Sequence, residues 1–298
     1  MNELRKAHRI HTFSSFALLP TVKNQLFQHR DMVLAYREWG AGDDVVLCFH
    51  GFGRDALDFE IFLPLLRPNQ RMIAINLLAH GSSAFNASRS YLQALQPQEW
   101  VECLEAFLAL HNIQTFHLVG YSMGGRVALC TWQWMHQRTE SVVLLATDGL
   151  KKNMLYRFAS GTRAGRAIYR YCIEHPEALF KLVGALHRLK ILPPKLFRFV
   201  HVHLDSQPKR QQVYDAWLVY RCFFPSLTGL SKIHKKNPVP LTLLFGDNDS
   251  IIRPRLAHRI TSKFETQVNV IIVPSGHRLF HETTLEVMRS QQVWPGHS

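Results

Sequence analysis

The stretch LVGYSMGGRVAL, residues 118–129, is an apolar run that stops at Gly-Tyr-Ser-Met-Gly-Gly and resumes as a second run that reads as a helix. Ser122 stands at the junction, between Gly120 and Gly124. Glycines lack the side chains that clash in a sharp bend. A strand ending here and a helix starting at once would thrust Ser122 outward over the helix N-terminus, the placement of a nucleophile on a strained turn. An ordinary glycine-rich turn is the competing reading, because G-x-S-x-G alone recurs by chance. The surrounding sequence decides between them.

Working outward, apolar runs recur on both sides. DDVVLCFHGFG (43–53) reads as a turn, a buried strand and a glycine-rich loop, and RMIAINLLAHGSS (71–83) as a second buried strand with a polar loop. FHLVGYS (116–122), ESVVLLATDG (140–149), PLTLLFGDND (240–249) and VNVIIVPSG (268–276) read as further strands. Runs that are apolar without alternation belong to strands buried on both faces. Between them, PQEWVECLEAFLALHNI (97–113) places Trp100, Val101, Leu104, Phe107 and Leu108 at helical spacing, with Pro97 set to start the helix. MGGRVALCTWQWMHQ (123–137), RPRLAHRITSKF (253–264) and LFHETTLEVMRSQQ (279–292) are further helices, and FEIFLPLL (59–66) a short helical candidate. The alternation predicts an α/β fold with a mostly parallel central sheet flanked by helices. NQLFQHRDMVLAYREWG (24–40) supplies an antiparallel edge hairpin.

Residues 150–236 break this rhythm. They lack a buried strand and read as helical, as in EHPEALFKLVGALHRLK (174–190) and QQVYDAWLVYRCFF (211–224). The chain therefore divides into a core of residues 1–149 and 237–298 and a helical insertion at 150–236. The insertion also holds the charge. The formal net charge is +13, and between Lys151 and Lys236 there are 17 Lys and Arg against 4 Asp and Glu. The rest of the chain is balanced.

With 298 residues, 47% of them hydrophobic, the chain can bury a core without disulfides. Its five cysteines are widely spaced with no C-x-x-C pair, so neither a disulfide framework nor a cysteine zinc site is expected, and reduced thiols fit a cytoplasmic location. Arg5, Lys6 and Arg9 precede FSSFALLP (13–20), but Ser14 and Ser15 interrupt that run and no A-x-A-like site follows. No signal peptide is expected. No apolar run approaches the ~20 residues of a membrane span.

A serine nucleophile needs a base, an orienting carboxylate and oxyanion donors. VPSGHRLFHE places His277 directly after a buried strand, behind Gly276; His281 competes, but the post-strand position selects His277. The acid comes from Asp247 or Asp249, at the end of LLFGDND, or from Asp148, after VVLLAT. FHGFGRD (49–55) offers the N–H of Phe52, to pair with that of Met123 as an oxyanion hole. His50 reads as structural, and Arg54 and Asp55 as a local ion pair. The order Ser, Asp, His along the chain suits this chemistry.

On FHGFG, LLAHGSS, GYSMGG, GDNDSIIRP and PSGHRLF the chain resembles the α/β-hydrolase superfamily, and within it the capped, serine-dependent esterase-like members, over residues 25 to 295. The resemblance implies a triad of Ser122, Asp249 and His277, because the family's acid sits three residues beyond the strand-end glycine, here Gly246. It implies that the helical insertion is a cap over the site. Serine at the elbow argues against the dehalogenase and epoxide-hydrolase branches. One departure concerns the loop where the family commonly has Asp-x-x-Gly-x-Gly: NLLAHGSS carries Asn76 and Ala79 in the first two of those places. The pocket wall built by that loop is expected to differ.

The implied function is a serine hydrolase that cleaves an ester-type bond, carboxylic ester or thioester, through an acyl-enzyme. The alternative is a non-catalytic ligand-binding or receptor-like homologue. The expected partner is a small acyl substrate, anionic or membrane-associated, since the insertion interleaves Arg157, Arg163, Arg166 and Arg170 with Tyr156, Phe158, Tyr169 and Tyr171. No cofactor is expected: the glycines of FHGFGRD lack the Lys-Ser/Thr of a phosphate loop. No metal is expected, because the histidines of HVH (201–203) would diverge on a helix. No nucleic-acid module is present. The oligomeric state is open.

Overall fold

The computed structural model describes residues 24–151, 154–190, 197, 204–264 and 268–296. FSSFALLP and HVH lie outside these described residues. The strands are β1 (Gln25–His29), β2 (Met32–Gly40), β3 (Asp44–Phe49), β4 (Gln70–Ile75), β5 (Ala84–Phe85), β6 (Phe116–Tyr121), β7 (Thr139–Leu145), β8 (Leu241–Gly246) and β9 (Asn269–Val273). They form one sheet in the order β1-β2-β4-β3-β6-β7-β8-β9, with the two-residue β5 beside β2. From β4 to β9 the neighbours are parallel. The β1–β2 hairpin is antiparallel and places β1 at the edge, with β2 running antiparallel to β4.

The unbroken apolar runs have a simple cause: each inner strand faces protein on both sides. Leu47 and Phe49 of β3 join Leu118, Leu243, Trp100 and Trp132 in one core layer. Val46 and Cys48 join Val119, Leu244, Phe59 and Trp294 in the other. Helices α1 (Pro97–Leu110) and α2 (Met123–Trp134) cover the first layer. The α1 start is fastened by the Gln96 N–H, which donates to Glu99 Oε2 at 2.7 Å. Trp100 and Thr131 link the two helices through an indole N–H to Oγ1 bond of 2.9 Å.

Among the described residues five α-helices lie between β7 and β8: α3 (Met154–Gly161), α4 (Arg163–Glu174), α5 (Pro176–Arg188), α6 (Gln207–Val219) and α7 (Leu227–Lys236). The run 174–190, read as helical, holds the last residue of α4 and then α5. Pro176 opens α5, and His175 before it is held out of the helical region at φ −120°, ψ 69°. The helix expected at 253–264 is likewise shorter, a 3₁₀ turn (Pro254–Ala257) followed by α8 (His258–Thr261). Helix α9 (Glu282–Ser290) closes the fold.

The candidate at 59–66 is a 3₁₀ helix over Ala56–Leu65. This corrects the pairing expected of Arg54 with Asp55. Asp55 is the helix N-cap, its Oδ1 accepting from Leu57 N–H at 2.7 Å. Arg54 instead forms its ion pair with Asp58.

Candidate active site

Ser122 follows β6 and caps α2 with φ 52°, ψ −115°. A positive φ is costly for any residue with a Cβ and persists only where the surroundings impose it. The surroundings here are backbone. The Ser122 N–H donates to Leu145 O at 2.9 Å, and its carbonyl accepts from Gly125 N at 3.0 Å and Asp148 N at 2.9 Å. Close approach explains the glycines. A Cβ on Gly124 would stand 2.0 Å from Phe49 O, and one on Gly120 2.6 Å from the Gly125 Cα. Helix α2 can therefore sit against the ends of β3 and β6 only if both positions lack side chains.

His277 lies in the loop after β9. Its Nε2 is 3.0 Å from Ser122 Oγ, and its Nδ1 is 2.7 Å from Asp249 Oδ2. The Asp249 side chain is fully buried. Its Oδ1 accepts from the N–H groups of Ile251 (2.7 Å) and Ile252 (2.8 Å), which leaves Oδ2 for the imidazole. Tyr121 steadies the ring from below: its hydroxyl donates to the His277 carbonyl at 3.1 Å, and the two rings are 5.4 Å apart.

The other candidates have different tasks. Asp247 Oδ1 accepts from Asn248 N at 2.7 Å and Ser275 N at 3.0 Å, joining the loops after β8 and β9. Asp148 Oδ2 faces Arg126 Nε at 3.6 Å. His281 is the N-cap of α9 and lies 2.7 Å from Ser275 Oγ.

The loop carrying Phe52 is held by two buried histidines. His50 Nδ1–H donates to Gly51 O at 2.7 Å while its Nε2 accepts from Leu77 N–H at 3.0 Å. His80 Nε2 accepts from Gly53 N–H at 3.0 Å. Both imidazoles are thereby kept neutral. Burial lowers the His50 pKa well below the ordinary value, with His80 adding to it, and burial brings His80 to about 4. The departure seen in the sequence is absorbed locally. Asn76 Oδ1 accepts from Ala56 N–H at 2.7 Å and so anchors the 3₁₀ helix. Ala79 takes φ 66°, the left-handed conformation that a glycine would adopt at lower cost.

Burial also lowers the pKa of His111, His117 and His234. A histidine whose folded pKa is depressed stabilises the fold above its unfolded pKa, and that contribution is lost as pH falls through the window between the two values. For His80 the window runs from 6.5 to about 4 and is worth on the order of 3 kcal/mol. The melting temperature is expected to fall steadily from pH 7 to pH 4, with more than one proton taken up on unfolding. A melting temperature flat across that range would contradict the neutral, buried assignment.

A cavity of about 250 Å³ opens above Ser122, with Phe52 and Met123 in its wall. Arg126, Tyr156, Trp217 and Phe224 also line it. A cleft of about 470 Å³ adjoins it and shares Asp148, Lys151, Ile251 and Ile252. Sequence reasoning missed Arg126, Trp217 and Phe224 as wall residues, and named Tyr156 only among the aromatics of the insertion. Only Arg126 left a signal, at one helical turn beyond Ser122. Among the described residues no group of three or more His, Cys, Asp or Glu is placed to hold a metal ion.

Comparison with known proteins places the fold. The chain is 34% identical over 125 residues to the dihydrolipoyllysine-residue acetyltransferase component of the acetoin cleaving system of Pseudomonas putida, a match spanning 41% of this chain and 32% of that protein. It is 22% identical over 244 residues to the uncharacterized hydrolase YugF of Bacillus subtilis, covering 79% of this chain and 84% of the relative. Its fold superposes on the crystal structure of a membrane phospholipase A, a bacterial virulence factor, with a TM-score of 0.62 at 22% identity, over 91% of this chain and 84% of the other. The model of the alpha/beta hydrolase family matches residues 45–289, and the chain belongs to that family.

Proposed function

We propose that the protein is a serine hydrolase that cleaves a carboxylic ester or thioester through an acyl-enzyme. The observation that carries this reading is the unbroken chain Asp249 Oδ2, His277 Nδ1, His277 Nε2, Ser122 Oγ, with links of 2.7 and 3.0 Å. In the proposed reaction His277 Nε2 takes the Ser122 proton as Oγ attacks the carbonyl carbon. Asp249 holds Nδ1–H, keeping the productive tautomer and favouring the imidazolium. The N–H groups of Phe52 and Met123 receive the oxyanion, each donor worth about 3 kcal/mol. Met123 suits that task as the first residue of α2, where N–H groups lack intrahelical acceptors and face the positive end of the dipole. The tetrahedral intermediate collapses and expels the alcohol or thiol, which takes its proton from His277. Water, deprotonated by the same imidazole, then releases the acid.

The insertion at 150–236 acts in this reading as a cap on the core of 1–149 and 237–298. Tyr156, Trp217 and Phe224 support this, because all three come from the insertion and face the Ser122 cavity. The five free thiols, three of them buried, suit a reducing, cytoplasmic location. Among the described residues no helix is long and apolar enough to cross a membrane.

Pre-steady-state hydrolysis of a p-nitrophenyl ester tests the acyl-enzyme. The expected result is a burst of about one p-nitrophenolate per chain before the steady state. Binding of the ester without any p-nitrophenolate release would favour the non-catalytic, ligand-binding reading instead.

A membrane-associated substrate has its own support. The solvent face of α3 and α4 exposes Met154, Leu155, Phe158, Ile168 and Tyr171 beside Arg157, Arg163 and Arg170. Apolar and basic side chains together suit an anionic lipid surface. The protein is expected to sediment with phosphatidylglycerol vesicles at about 0.05 M salt and to be released at about 0.5 M. Equal partition onto phosphatidylcholine vesicles would count against an electrostatic contribution.

A further inference from the structure

Arg126 is the buried charge that the triad chemistry leaves without a task. It lies on the first turn of α2, four residues beyond Ser122. Its side chain is only 5% exposed, yet it lines the Ser122 cavity. Its Nε has no hydrogen-bond partner among the described residues. The nearest carboxylate, Asp148, stands 3.6 Å away, beyond good hydrogen-bond distance, and is itself 37% exposed. The guanidinium rests 4.8 Å from the Tyr156 ring centre and 5.9 Å from that of Phe224. Those faces attract and orient a cation, and the Tyr156 hydroxyl accepts one of its N–H groups.

A buried guanidinium that keeps one donor unmet and faces its carboxylate only at 3.6 Å is costly, and a pocket that tolerates one is suited to an anionic ligand. The charge balance states which kind. Arg126 and Lys151 face the cavity against the single carboxylate of Asp148, so one further negative charge makes it neutral. The rest of the wall, with Phe52, Trp217 and Ile252, is apolar.

We propose that Arg126 is an anion-recognition residue and that the substrate is an ester bearing one carboxylate, held by Arg126 while its carbonyl meets Ser122. This rests on the reading of Ser122 as nucleophile. Both residues line one cavity of about 250 Å³, which puts the carboxylate a few bonds from the reacting carbonyl, on the acyl chain or on the leaving alcohol.

Two pairs of esters separate these sources. Monoethyl glutarate against ethyl valerate tests an acyl-side carboxylate, and acetoxyacetate against isobutyl acetate a leaving-group one. In one pair the anionic member is expected to have a kcat/KM at least about tenfold higher. Arg126→Gln should erase that preference, chiefly through KM, and Arg126→Lys should restore part of it. Asp148→Asn should increase the preference, because it removes the competing carboxylate; a purely structural Arg126, tying the insertion to α2, predicts no such gain. Calorimetry on Ser122→Ala, with and without Arg126→Gln, measures binding of the same anions without turnover. If no ester is turned over but the anions bind in an Arg126-dependent way, the subsite stands and the nucleophile assignment falls. Equal kcat/KM within both pairs, or equal losses for anionic and neutral esters in Arg126→Gln, would overturn the proposal. Should Arg126→Gln fail to fold, an unchanged preference in Asp148→Asn overturns it equally.

Discussion

Ser122→Ala is expected to lower kcat for a p-nitrophenyl ester by about a millionfold, to the level left by binding and oxyanion donors alone. The fold should survive. Alanine keeps the Cβ that Ser122 already carries at φ 52°, so no new backbone strain arises, and the backbone bonds to Leu145, Gly125 and Asp148 do not involve the hydroxyl. The melting temperature should stay within a few degrees of that of the unaltered protein. Turnover above about one per cent of the original rate would mean that another group attacks the carbonyl.

Asp249→Asn is the second large effect, and its size follows from which oxygen bonds to what. Oδ1 accepts from two backbone N–H groups, of Ile251 and Ile252. In the variant the amide oxygen must keep that place, which turns the amide NH2 toward His277. His277 Nδ1 then becomes an acceptor, its proton moves to Nε2, and Nε2–H points at Ser122 Oγ. Such an imidazole cannot take the serine proton. The expected loss is about 10⁴-fold in kcat. Asp247→Asn serves as the contrast. Among the described residues its carboxylate accepts from Asn248 and Ser275, so its loss should be less than about tenfold and should appear in stability. Similar losses in the two variants would show that the loops, and not the tautomer, limit the rate.

The sheet was legible because burial on both faces leaves a plain mark. VVLCF, FHLVGY and LTLLFG are apolar but for His117 and Thr242, and all lie between two core layers. Ser122 was legible because a strained elbow needs glycines at fixed offsets. The acid was less so. Asp247 and Asp249 are equally plausible turn residues from the residues alone; in the sequence only the family resemblance, by its count from Gly246, prefers Asp249, whose Oδ2 the structure places against His277. Arg54 was assigned to Asp55 because adjacency is visible in a sequence, whereas the 3₁₀ helix that brings Asp58 round to it is not. The break at Pro176 could have been read from the proline itself. The walls contributed by Tyr156, Trp217 and Phe224 could not, since they depend on how helices far apart along the chain pack over α2. Ala79 shows the limit of motif matching: the missing glycine changed the cost of the loop conformation without removing it.

The most direct measurement is the site and stoichiometry of fluorophosphonate labelling, read by intact mass and peptide mapping. An activated serine next to a neutral imidazole should yield one adduct per chain, on the peptide holding Ser122, and none after His277→Ala. Absence of an adduct on the folded protein, or an adduct on any other residue, would contradict the assignment of Ser122, His277 and Asp249 as the reacting group, its base and the orienting acid.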